Sequence, residues 1–180
     1  MTMEVWNVVG VAALAAAGLL VVAGAPKVLD PGDLVRALRS SGLRLPSWGV
    51  RLFAGAEVVA GLAAIAAPGT VTMSAVALLH AVFTGFVVLA LARGGVVASC
   101  GCFGRADTPP TRAHAGVTSF FALAAAMVAL APPTQPWWST GAGLPLVTGL
   151  VAALVAFLAW QVIAVLPTTT AASIRSAGRS

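Results

Sequence analysis

Charge is what this 180-residue chain has least of. Five acidic and ten basic side chains make up 8% of it, against 59% hydrophobic residues. With a mean hydropathy of +0.99, that shortage excludes a water-soluble domain of this length. A formal net charge of +5 spread over so few groups also makes nucleic acid a poor partner. In a membrane protein a basic excess records topology more often than a polyanionic ligand. Cysteine is scarce too: only Cys100 and Cys102 are present, and His114 is the nearest histidine to them. A structural zinc site wants four ligands, so no metal is assigned. Finally, no Lys or Arg precedes the first apolar run, only Glu4. That run is also too long for the apolar part of a signal peptide, so it reads as a retained helix despite the "AGA" before Pro26.

What the chain has in abundance is apolar runs. Five of them approach or reach the roughly 20 residues that a helix needs to cross about 30 Å of hydrocarbon. They lie at residues 5–25, 47–67, 71–92, 113–131 and 144–166. The fold class this implies is all-α, a polytopic membrane bundle of four to five transmembrane helices occupying residues 1–166, followed by a disordered tail at 167–180. With five spans, every Lys and Arg falls on one side: Lys27, Arg36, Arg39, Arg44 and Arg51, then Arg93, Arg105 and Arg112, then Arg175 and Arg179. The positive-inside rule makes that side cytoplasmic and the N-terminus external, in the plasma membrane. The tryptophans suit this arrangement, with Trp6, Trp137 and Trp138 near the outer boundary and Trp48 and Trp160 near the inner one.

The connections carry their own signals. In "LDPGDLVRALRSSGLRLP", Asp30 is a good N-cap, Pro31 suits a first helical position and Asp33 adds negative charge to the first turn. Leu34, Val35 and Leu38 form one apolar face, Arg36 and Arg39 lie off it, and Gly42 can end the turn. This predicts a short helix over about 31–40 lying in the inner interface beside lipid headgroups. The "PGT" at 68–70 is a tight connection between the second and third spans, while "PPTQPWWSTGAG" is an irregular outer loop.

Two ionisable residues fall inside spans. Glu57 and His80 are each about ten residues from the 68–70 turn, or roughly 15 Å deep at 1.5 Å per residue. A charge there costs at least about 2.5–3.5 kcal/mol, so Glu57 should face the interior, protonated or paired. Equal depth permits a Glu57–His80 contact without fixing the helix rotations, and Ala54, Gly55, Ala60 and Gly61 would let a neighbouring helix approach. The alternative is that each finds a different hydroxyl or backbone carbonyl, with Thr84, one turn beyond His80, an obvious candidate.

The remaining chemistry lies in "GGVVASCGCFGRADTPP", residues 94–110. Two thiols separated by Gly101 can close a small, strained disulfide ring, and strained disulfides are the exchange-competent ones. Arg105 nearby favours the thiolate. The residues alone leave three readings open: a redox pair, two inert cysteines, or metal or lipid attachment.

"SCGCFGR" at 99–105, following a third span, resembles the hallmark of the MauE family, methylamine-utilisation membrane proteins related to DoxX-like proteins. "AGAPKVLDPGDLVRAL" (23–38) resembles the family's Gly-x-x-Lys segment, and "FAGAEVVAGLAAI" (53–65) its glutamate-bearing second span. The resemblance covers about residues 5–131. It marks Lys27, Glu57, Cys100, Gly101, Cys102, Phe103 and Gly104 as family-like, while His80 matches no family motif. It implies a role in maturing methylamine dehydrogenase, beside a thioredoxin-like MauD-type protein, in making or transporting a disulfide-rich subunit; related chains serve other substrates.

The expectation is thiol–disulfide exchange at Cys100 and Cys102, with Glu57 or His80 handling protons and Lys27, Gly101, Phe103, Gly104 and Arg105 in binding or structural roles. No motif calls for a cofactor; a quinone would be a co-reactant without one. The charge map opposes this expectation, because it puts the cysteines on the reducing face. Transfer of reducing equivalents across the membrane, a re-entrant 94–104 segment, or a different span count would each resolve the conflict. A non-catalytic DoxX-like scaffold is the alternative class. A transporter is weaker, since no inverted repeat is evident and only one acid lies within a span.

Overall fold

The computed structural model describes residues 2–40, 42, 44–92, 111–139 and 141–165. Cys100, Gly101, Cys102, Phe103, Gly104 and Arg105 lie outside the described residues, as does the expected tail at 167–180. Among the described residues all the regular structure is helical: α1 (Thr2–Leu29), α2 (Gly32–Ser40), α3 (Ser47–Ala66), α4 (Thr70–Ala92), α5 (Arg112–Leu130) and α6 (Gly143–Trp160), the last running into a π-helical turn at Gln161–Val165. Five of these helices are long and apolar enough to cross a membrane, as the apolar runs predict.

The first helix is longer than its apolar run. It continues through Pro26 to Leu29, so Lys27 sits in its last turn rather than in a connecting loop. A proline removes only its own N–H, and the Pro26 carbonyl still accepts from Asp30 N–H at 2.8 Å. The short amphipathic helix forms where expected. The Asp30 carboxylate accepts from Gly32 N–H at 2.9 Å, and Pro31 C=O accepts from Val35 N–H at 3.0 Å. Asp33 and Arg36 pair along its surface. Gly42, at φ +88°, takes the left-handed conformation that ends such a helix, and its N–H donates to Arg39 C=O. At the tight turn, the Thr72 hydroxyl accepts from Gly69 N–H (3.0 Å) and donates to Ala67 C=O (2.7 Å), covering backbone groups that the two helix ends leave open.

α1 is the central helix. Ala13, Leu14, Ala15, Ala16, Ala17, Leu19 and Leu20 are all buried, packed by α3, α5 and α6. Its closest approach is to α3, which runs antiparallel to it. A Cβ added at Gly61 would lie 2.5 Å from Ala17 O, and one at Gly24 would lie 2.8 Å from Ala54 O. With no hydrophobic drive between helices in lipid, such close backbone packing of small residues is what holds two spans together. α4 pairs chiefly with α5, and α3 meets α4 less extensively than either meets its main partner. Large apolar side chains such as Leu52, Val59, Leu78, Leu123 and Leu150 point outward, as a lipid-facing surface requires.

The loop after α5 folds back over the bundle. Trp137 donates its indole N–H to Ile65 C=O at 2.9 Å, in the last turn of α3, and packs beside Gly149 of α6. The alternating directions of the spans gather the ends of α1 and α4 and the starts of α3 and α5 at the opposite end.

Candidate functional site

α3 buries a single stripe: Val50, Ala54, Glu57, Gly61 and Ala64. That 4-3-4-3 spacing is one helical face, turned toward α1. Glu57 is therefore aimed at the last turns of α1, and the side chain that meets it is Lys27. The ammonium lies 2.7 Å from one carboxylate oxygen and 3.1 Å from the other, with both residues essentially inaccessible (1% and 0% exposed). Lys27 Nζ also sits 5.0 Å from the centre of the Phe83 ring, within range of a cation–π contact. Two charges that lipid would not tolerate singly are paired, and the cation lies at a helix C-terminus, where the macrodipole favours it.

This corrects the expected Glu57–His80 contact. The depths agree, but the helix rotations send the two side chains to different partners. His80 donates from Nε2 to the backbone C=O of Ala16 at 3.1 Å, and its ring packs against Phe83 and Phe121 with centroids 6.3 and 5.6 Å away. Two of the four small residues expected to admit a neighbour, Ala54 and Gly61, do so. Gly55 faces open space, and Ala60 lies off the buried stripe.

A second polar group lies between α4 and α5. The Thr84 hydroxyl is 2.8 Å from that of Thr118; Thr84 Oγ1 also lies 2.9 Å from His80 C=O, and Thr118 Oγ1 lies 3.0 Å from His114 C=O. Thr84 thus meets His80 through its backbone rather than its ring. His114, in the first turn of α5 behind an N-cap made by Thr111, is as buried as His80, each about 2% exposed. His80, His114, Phe83, Thr118 and Ile163 line one small cavity; the π-helical turn carries Ile163 into it.

The sequence reading missed the Lys27–Glu57 pairing and the buried place of His114. The signal for the first was the family-like lysine and glutamate taken together. For the second it was the matching histidine–threonine spacing, His80 to Thr84 and His114 to Thr118, on two helices. Among the described residues no group of three or more His, Cys, Asp or Glu side chains could hold a metal.

A bundle of five candidate spans around a buried ion pair, with an amphipathic helix at one end, defines a multi-pass helical membrane protein. Residues 5–134 match the family described as methylamine utilisation protein MauE. The chain belongs to that family and is a methylamine-utilisation membrane protein. Neither curated proteins nor solved structures yield a match.

Proposed function

We propose that this chain carries out thiol–disulfide exchange at Cys100 and Cys102, on behalf of the maturation of methylamine dehydrogenase or a similar exported protein, with a thioredoxin-like MauD-type partner. The observation that carries this reading is the family match, whose span takes in Lys27, Glu57 and the Cys-Gly-Cys segment together. The step balances without a further reactant. One thiolate attacks a sulfur of the partner's disulfide, the S–S bond breaks, and the departing partner thiolate takes up a proton. The second cysteine then attacks the mixed disulfide. Two electrons and two protons have passed from this chain to the partner, and the reverse sequence oxidises the partner. No resident cofactor is part of the proposal.

The orientation that goes with it is an external N-terminus and a cytoplasmic C-terminus, supported by the distribution of the Lys and Arg residues. Exchange with an external partner then requires the pair to be reachable from outside, by passage of reducing equivalents through the bundle. Labelling Cys100 and Cys102 with a membrane-impermeant thiol reagent, in intact and opened cells, reports sidedness and redox state together. Cys100→Ser and Cys102→Ser should each abolish formation of the exported protein's disulfides. Normal disulfides with both cysteines replaced would end this reading.

A second reading is a non-catalytic scaffold, which the buried Lys27–Glu57 pair favours, since an ion pair locked between two helices holds a bundle together. A scaffold tolerates both cysteine replacements and fails when the ion pair is broken.

A further inference from the structure

At the end of the bundle where α3 and α5 begin, Arg39, Arg44, Arg51 and Arg112 are exposed and make no ion pair among the described residues. The described acidic groups near them are already engaged: the Asp30 carboxylate with Gly32 N–H, Asp33 with Arg36, and Glu57 with Lys27. This surface therefore carries positive charge that the described chain does not meet. Arg39, in the last turn of α2, and Arg44, in the segment leading into α3, line one open cleft of about 550 Å³. Leu45 and Pro46 complete its lining among the described residues.

An occupant that suits this lining is anionic in one part and apolar in another. The apolar character extends beyond the cleft: Leu45, Trp48 and Leu52, along the entry into α3, are 49%, 66% and 67% exposed. An exposed tryptophan among leucines at the start of a span marks the lipid–water boundary, and phosphate is the anion that this boundary supplies. A guanidinium meets phosphate oxygens with paired N–H donors. α3 begins at Pro46 without a side-chain cap, so the positive end of its macrodipole adds to the two cations. A zwitterionic lipid brings a cation of its own and leaves the surplus charge unmet. We propose that the elbow between α2 and α3 binds one anionic phospholipid, with its phosphate between Arg39 and Arg44 and the upper part of its chains against Leu45 and Pro46.

The lipid supplies a link that the described chain makes only weakly. α2 packs chiefly on α3, and its Asp33–Arg36 pair is internal to the helix. A phosphate held by one arginine of α2 and one from the segment before α3 ties the amphipathic helix to the span that carries Glu57. This is a site for a single lipid rather than the diffuse attraction of a basic surface to an acidic membrane, because Arg51 and Arg112 are exposed too and do not line the cleft. It does not depend on what Cys100 and Cys102 do.

The test is native mass spectrometry of the full chain released from nanodiscs that hold phosphatidylglycerol and phosphatidylcholine in equal amounts, with matched acyl chains. The expected result is one phosphatidylglycerol retained in preference to phosphatidylcholine. An arginine near a charged membrane surface is worth about a fivefold preference, so Arg39→Gln and Arg44→Gln should each cut retention by about that factor. Arg51→Gln, which removes an exposed charge outside the described lining, should leave it largely unchanged. Equal retention of the two lipids in the unsubstituted protein overturns the proposal, as does a preference that survives both cleft substitutions. A loss at Arg51→Gln as large as at Arg39→Gln also overturns it, because the attraction would then belong to the whole surface. Displacement of the lipid by excess glycerol 3-phosphate has the same force, since the cleft would then hold a free anion.

Discussion

The Lys27–Glu57 pair and the two buried histidines share Phe83 as a neighbour and are built on opposite terms. The first pair is direct: ammonium and carboxylate touch, at 2.7 and 3.1 Å, across two closely packed helices. The histidines are not paired; each ring keeps one nitrogen without a protein partner. The difference follows from charge. An unpaired ion in lipid costs several kcal/mol, so it must be met by its counter-ion. A neutral imidazole nitrogen costs only about 1–3 kcal/mol when unsatisfied. Where the bundle must be fixed it uses an ion pair, and where it leaves room it uses neutral groups and a cavity.

The contrast predicts a graded set of mutational effects. The largest belongs to the ion pair. Glu57→Gln or Lys27→Met alone strands a buried charge and should lower stability by about 3–5 kcal/mol, whereas the double variant should recover most of that loss. Unfolding in detergent micelles checks both, and additive single losses would mean that the two charges do not act as a pair.

Next comes the seam that brings the charges together. Gly61→Ala would place a Cβ 2.5 Å from Ala17 O, against backbone that cannot step aside. The expected loss is about 1–3 kcal/mol. Gly55→Ala is the matched control on the same helix: its Cβ meets nothing within 4 Å, so the change should be neutral or stabilising by up to about 1 kcal/mol. Equal effects at the two positions would contradict the assignment of the packed face.

The histidine side should respond more weakly. His80→Phe removes the bond to Ala16 C=O, at a cost of about 0.5–1.5 kcal/mol. Smallest is the Thr84–Thr118 hydroxyl pair, whose coupling in a double-mutant cycle should be about 0.6 kcal/mol, the average for such bonds between membrane helices.

The five spans were legible because each is a continuous apolar run, a signal that depends on no tertiary contact. The short helix at Gly32–Ser40 was legible because Asp30, Pro31 and Gly42 punctuate it locally. The depth of Glu57 could be counted from the turn. Its partner could not, because rotation about the helix axis depends on which face finds a complementary neighbour. Lys27 was harder still. Pro26 reads as a stop, yet in a last turn it forfeits one hydrogen bond and the helix runs on past it. The four-carbon stem of Lys27 then reaches a carboxylate thirty positions along the chain.

The separation between those two residues has a consequence for how the chain is made. Lys27 leaves the ribosome first, and its counter-ion follows thirty residues later, a wait of about 2–6 s at ordinary synthesis rates. The charge is therefore met by the very next span, and the insertion machinery need shelter it only briefly. The face of α1 around Leu14, Ala15 and Gly18 waits far longer, because α6, which closes that face together with Trp137, is made last of the spans. It can afford to, since lipid serves an apolar face about as well as protein does. The order of synthesis and the cost of exposure thus run together, with the most expensive group covered first.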